Sequence, residues 1–141
     1  MSTTTALIDG AVGGLIATFA MTVIMMVTGD GSPPPTADLW SKYVGGEPAE
    51  NKLPAMLLHF IYGTVVAAFL GALLSVTNLT SALINFGSGV AYGIVLFIVG
   101  ALFWVQLVLG MDPERKQTVM FLMVHFVYGA VLGAWLAVDL L

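Results

Sequence analysis

The stretch that decides the fold is His59-Phe60-Ile61-Tyr62-Gly63, which returns almost unchanged as His125-Phe126-Val127-Tyr128-Gly129. These two copies contain the only histidines of the chain. Aligned at an offset of 66 residues, 59–75 and 125–141 share eight identities in seventeen positions. A looser match pairs 5–9 with 81–85 at an offset of 76 residues. The pattern predicts a two-helix unit that occurs twice in tandem.

The composition predicts a membrane protein. The chain has 141 residues, of which 59% are hydrophobic and 9% charged, with a mean hydropathy of +1.00. A soluble domain is nearer half apolar and a quarter charged. Four apolar segments, at about 6–28, 54–77, 82–110 and 118–140, each exceed the roughly 20 residues that cross a bilayer. We therefore expect an all-α membrane protein in which residues 1–141 form one domain of four transmembrane helices.

The connections between these helices differ in length. The longest is the loop 29–53, where Pro33, Pro34 and Pro35 end the first helix because proline disrupts a helix interior. Within it, 36–44 has the pattern of a short helix, and its Trp40 and Tyr43 are residues that favour the membrane interface.

The positive charges predict the orientation. All four basic residues lie in the first and third loops, namely Lys42, Lys52, Arg115 and Lys116. Positive loops stay in the cytoplasm, so we expect both termini outside the cell membrane. Two crossings return each repeat to its starting side. The repeats should therefore be related by a pseudo-two-fold axis along the membrane normal.

Small residues recur at four-residue spacing on every predicted helix. Such ladders let helix backbones approach closely in lipid, where no hydrophobic force drives helices together. They also predict close packing within the chain or between copies of it. The residues concerned are Gly10 and Gly14, then Gly63, Ala67 and Gly71, then Gly89 and Gly93, and finally Gly129, Gly133 and Ala137.

The two histidines share a helix face with these ladders, so they should point at neighbouring helices and not at lipid. A polar side chain inside the membrane is costly without a partner and marks a candidate functional site. The candidate partners in this site or pathway are Tyr62, Tyr128, Thr18, Thr22 and Gln106.

Four interpretations of the histidine pair stay open. Each imidazole could simply be packed and hydrogen-bonded. Opposed histidines on two helices could ligate a non-covalent b-type haem. They could relay protons or bind an ion, since imidazole titrates near neutral pH. Finally, Met21 and Met25 lie at the same membrane end, and thioether with imidazole suits Cu(I).

Other function classes are disfavoured. The chain lacks cysteine and carries a net charge of −4, so neither a thiolate site nor a basic surface for nucleic acid is expected. No catalytic constellation is evident, and we expect no enzyme. The leading hypothesis is a small channel-like, transporter-like or ligand-binding oligomer in the lipid bilayer. The alternatives are a haem-binding electron-transfer subunit and a structural subunit of a larger membrane complex.

The proline-rich stretch Pro33-Pro34-Pro35 and the histidine-containing segments resemble those of small multi-pass membrane proteins of the YagU type. In place of charged and tryptophan residues before the prolines, this chain has Gly29-Asp30-Gly31-Ser32. The resemblance implies a multi-pass helical architecture and leaves the activity open.

Overall fold

Four long helices and one short helix make up the described part of the chain, which comprises residues 2–29, 31, 33–77 and 81–138 of a computed structural model. In chain order they are α1 (Thr3–Thr28), α2 (Pro35–Tyr43), α3 (Lys52–Thr77), α4 (Ala82–Ile98) and α5 (Arg115–Val138). A π-helix, Val99–Val108, continues α4 directly.

The predicted all-α fold with four long apolar helices is confirmed. The described residues contain no strand, and α1, α3, the continuous span Ala82–Val108 and α5 are each long and apolar enough to cross a membrane. Parts of three predictions lie outside the described residues: the end of the fourth segment at 139–140, the turn at 78–80, and positions 30 and 32 of the proline-rich loop.

Local sequence explains where the helices begin. The side chain of Ser2 accepts a hydrogen bond of 3.1 Å from the Thr5 backbone N–H, and Ser81 does the same for Ile84 at 3.2 Å. Serine is a preferred N-cap because its oxygen satisfies a free N–H of the first turn. α2 begins at Pro35, where the missing N–H of proline costs nothing.

The π-helix was not predicted from the sequence. Its bonding runs over five residues, as in the 3.0 Å hydrogen bond from the Leu109 N–H to the Trp104 carbonyl. Such segments are rare and occur frequently at functional sites. The segment is followed by Gly110, whose φ of 68° is readily adopted by glycine but by few other residues.

The long helices form two antiparallel pairs that join along one side only. α1 packs along α3, and α4 packs along α5. The two pairs meet through α1 and α5, whereas α3 and α4 scarcely touch. The bundle is therefore closed on the α1–α5 side and loosely joined on the α3–α4 side.

Glycines bring the helices of each pair together. A Cβ added to Gly71 would overlap the Ala6 carbonyl, and one added to Gly89 would overlap the Gly133 backbone. Many large apolar side chains remain exposed on the outside, among them Phe69 at 68% and Leu107 at 74%. An apolar exterior of this kind suits lipid, because a soluble protein seldom leaves large contiguous apolar patches in water.

Candidate functional site

A cavity lies at the end of the bundle where α3 and α5 begin, hereafter the histidine end. It has a volume of about 230 Å3 and is lined by all four long helices, by the π-helix and by the segment Pro34–Leu39. Most of the lining is apolar. The side chains with polar groups that line it are Thr18, Thr36, His59, Tyr62, Trp104, His125 and Tyr128. Both histidines therefore face one shared space.

His125 presents a free acceptor nitrogen. Its Nδ1 lies 2.7 Å from the Phe121 carbonyl oxygen, one turn earlier in α5. A carbonyl only accepts hydrogen bonds, so Nδ1 carries the proton and the neutral ring keeps a lone pair on Nε2. A Cβ on Gly100 would lie 3.9 Å from that Nε2, which places the π-helix directly beside the imidazole. Phe121 packs edge-on against the ring at 4.3 Å between centroids.

His59 has fewer hydrogen bonds than His125. Its Nε2 is buried and has no hydrogen-bond partner among the described residues. Buried polar atoms are nearly always paired, and leaving one unpaired costs about 1–3 kcal/mol. The accessible surface of this nitrogen is essentially zero, so a molecule in the cavity would reach it only after the imidazole ring turned.

The two tyrosines of the repeated motif have different environments. Tyr128 is 2% exposed, and its hydroxyl donates a 2.6 Å hydrogen bond to the Gly63 carbonyl of α3. Tyr62 lines the same cavity but is 36% exposed, and no hydrogen bond of its hydroxyl is seen within the described residues. Neither tyrosine hydroxyl forms a hydrogen bond with a histidine among the described residues. His125 bonds to the Phe121 carbonyl instead.

The remaining polar candidates divide between the cavity and other places. Thr18 lines the cavity, but its hydroxyl donates to the Gly14 carbonyl at 2.7 Å. Thr22 is buried and donates to the Thr18 carbonyl at 2.7 Å. Both threonines are thus satisfied within α1. Gln106 is exposed and is absent from the cavity lining, so the structure does not bring it to the histidines.

Met21 and Met25 do reach the same cavity as the histidines. Thioether sulfur is a weak acceptor and a soft ligand. Among the described residues, no group of three or more histidine, cysteine, aspartate and glutamate side chains is placed to hold a metal ion. Any metal bound here would therefore have to depend on methionine as well as histidine.

Sequence reasoning missed three groups that shape the cavity. Trp104 and Val105 line it from the π-helix, a segment that has no local signal in the sequence. Lys42 of α2 donates to the Val108 carbonyl at the end of the π-helix. This contact holds α2 across the histidine end.

A second missed feature lies away from the cavity. Asp9 is 2% exposed within α1, and the Trp135 indole N–H of α5 donates to its carboxylate at 2.8 Å. Tyr92 of α4 donates to the Val66 carbonyl of α3 at 2.9 Å. The first bond joins the two helix pairs on the closed side, and the second bridges the loosely joined side.

Comparison of the chain with protein-family models, with curated proteins and with solved structures finds no match.

Proposed function

We propose that this chain is a multi-pass membrane protein that binds a small hydrophobic molecule in the cavity at the histidine end, with His59 and His125 as its polar contacts. The observation that carries the proposal is that both histidines, the only two in the chain, line one largely apolar cavity. Apolar pockets with a few convergent polar groups are typical ligand sites. The lone pair on Nε2 of His125, whose Nδ1 proton is used on the Phe121 carbonyl, supports an occupant that donates a hydrogen bond.

The proposed orientation places this cavity near the cytoplasmic face of the cell membrane. Lys52 is the first residue of α3 and Arg115 is the first residue of α5, so positive charges border the histidine end. Cytoplasmic ends of membrane helices carry an excess of such charges. Both termini would then lie outside, as the sequence predicts.

Duplication of a two-helix unit is part of the proposal, and corresponding contacts in the two helix pairs support it. In the first pair Gly10 packs on the Ala67 backbone, and in the second Phe86 packs on Gly133. These positions correspond at the offsets of 76 and 66 residues found in the sequence. The same contacts support small-residue packing within one chain.

Haem is less well supported than a smaller ligand. A cavity of about 230 Å3 is below the roughly 300–1,000 Å3 of sites for larger organic ligands, and a porphyrin macrocycle would require the helices to separate. The residues present therefore do not fit a haem in this arrangement. The same volume is much larger than the space that one Cu(I) ion held by Met21, Met25 and the histidines would occupy.

An ion or proton pathway also has weaker support, because the cavity walls are chiefly apolar and a charge there would lack compensating groups. Transport, assembly into an oligomer or a larger complex, and the resemblance to the YagU type stay predictions.

Filling the cavity tests the proposal. Val66 lines the cavity, whereas its neighbour Val65 is 61% exposed on the outer face. We expect a photoactivatable alkylbenzene to label cavity residues of the protein in lipid nanodiscs, with competition by unmodified alkylbenzene. Val66→Phe should abolish this competed labelling, and Val65→Phe should preserve it. Labelling confined to outward-facing residues, or unaffected by Val66→Phe, would contradict the proposal.

A further inference from the structure

We propose that the occupant of the cavity is a phenolic lipid, meaning one substituted aromatic ring with a hydroxyl group and an apolar tail that stays in the bilayer. This inference rests on the proposed function and adds the chemical class of the ligand. It follows from four features of the site: its size, the kind of hydrogen bond that it lacks, its aromatic walls and its open side.

The size of the cavity suits one ring. A dry apolar cavity of about 150 Å3 accommodates benzene. The cavity here measures about 230 Å3, which leaves space for a ring with substituents but not for a fused macrocycle. Any part of the ligand beyond the ring and its substituents must therefore extend out of the cavity.

The hydrogen-bonding state of His125 calls for a donor on the ligand. His125 uses its Nδ1 proton on the Phe121 carbonyl at 2.7 Å, so its Nε2 can only accept. A hydroxyl donates a hydrogen bond, whereas a ketone or an ether oxygen only accepts. A phenol therefore satisfies His125, and the corresponding ether does not.

The walls around the histidines suit an aromatic ring. Trp104 lines the cavity from the π-helix, Phe121 from α5 and Tyr62 from α3. Aromatic rings in edge-to-face or offset arrangements gain about 0.5–1.5 kcal/mol beyond simple burial. The absence of a side chain on Gly100, whose added Cβ would lie 2.9 Å from the Phe121 ring, keeps this part of the site open.

The tail would leave between α3 and α4. These helices scarcely touch along their length, and the bond from Tyr92 to the Val66 carbonyl bridges them at the inner limit of the cavity. At the other limit, α2 is held against the π-helix by Lys42. The route that remains points sideways into lipid, and a hydrophobic ligand already dissolved in the bilayer would enter by it.

The experiment compares decylphenol with its methyl ether, which has the same ring and tail but no donor. Binding to the full-length protein in nanodiscs is followed by the fluorescence of Trp104, and Trp104→Phe verifies that the signal comes from the cavity. We expect decylphenol to bind roughly tenfold more tightly than the ether, because one hydrogen bond to a buried acceptor is worth about that factor. His125→Phe should remove the preference and leave the two affinities equal.

The outcomes separate this inference from the proposed function. Equal affinities of the wild-type protein for the phenol and the ether would overturn the phenolic assignment and leave a hydrophobic ligand site in place. A preference that persists in His125→Phe would overturn the role of His125 as acceptor. A failure of both compounds to change the Trp104 signal would contradict the cavity as a binding site and so remove both proposals. The comparison of decylphenol with its methyl ether in the wild-type protein remains a valid test even if the His125→Phe variant does not fold.

Discussion

The Tyr128 hydroxyl donates a 2.6 Å hydrogen bond to the backbone carbonyl of Gly63, and thereby joins the last helix to the second membrane span across the centre of the bundle. Both residues belong to the repeated His-Phe-x-Tyr-Gly motif, but to different copies of it. The equivalent residue Tyr62 makes no corresponding bond within the described residues. Both copies of the motif therefore border the cavity, but among the described residues only the tyrosine of the second copy also bonds to another helix.

Removing the Tyr128 hydroxyl should destabilise the protein more than removing that of Tyr62. Tyr128→Phe loses a buried hydrogen bond, and we expect a cost of about 1 kcal/mol. Tyr62→Phe is the matched control and should change stability by a few tenths of that amount at most. Thermal unfolding in mild detergent measures both. Equal effects of the two substitutions would show that the two copies have equivalent environments.

The bond from Trp135 to Asp9 should hold the two helix pairs together on the closed side. Trp135→Phe leaves the buried Asp9 carboxyl without its donor, and we expect a loss of about 1–3 kcal/mol. Asp9→Asn retains a carbonyl oxygen that accepts the indole N–H and should be far milder. The measurement is again the unfolding midpoint in detergent. A harmless Trp135→Phe would mean that Asp9 finds another partner.

Two glycines of α4 provide a direct test of the close helix contact. Gly89→Ala places a Cβ against the Gly133 backbone, whereas a Cβ on Gly87 meets nothing within 4 Å. Gly89→Ala should therefore separate α4 from α5 and lower stability by about 1–3 kcal/mol, in the range of overpacked cores. Gly87→Ala should be neutral or stabilising by up to about 1 kcal/mol, since alanine favours helix. If both variants are neutral, α4 and α5 do not pack in this way.

The orientation can be tested with single cysteines, because the chain has none of its own. A membrane-impermeant thiol reagent added to intact cells should label Thr3→Cys and Ser81→Cys. Gly45→Cys and Glu114→Cys should react only after the membrane is permeabilised. Labelling of Gly45→Cys or Glu114→Cys from outside would reverse the topology and place the histidine end on the outer face.

The sequence predicted the long helices well because their signal is local. An apolar run of sufficient length specifies a membrane helix without reference to the other helices. Serine N-caps mark where such helices begin, and proline marks where they cannot continue. The common location of His59 and His125 was also predictable, since both share a face with small residues that must pack inward.

What the sequence could not predict depends on contacts between distant residues. Gln106 was a candidate because it is a polar residue of the third span, but its side chain is exposed and does not reach the cavity. The π-helix at Val99–Val108 has no local signal in the sequence. The partner of the buried Asp9 is Trp135, which lies 126 residues later in the chain, and no local pattern points to that pair. The different environments of Tyr62 and Tyr128 follow from the unequal joining of the two helix pairs, which identical local motifs do not reveal.

The most direct test of a shared ligand cavity uses nitrogen NMR of protein labelled only at histidine. Two histidines give few ring signals, so each nitrogen can be assigned with single substitutions. We expect His125 to carry its proton on Nδ1. When decylphenol is added, the Nε2 signal of His125 should shift through the new hydrogen bond, and the ring signals of His59 should shift because the bound aromatic ring lies near them. Val66→Phe should suppress both shifts. Signals of His59 and His125 that stay unchanged at saturating decylphenol, or a shift of only one of them, would contradict a single site shared by the two histidines.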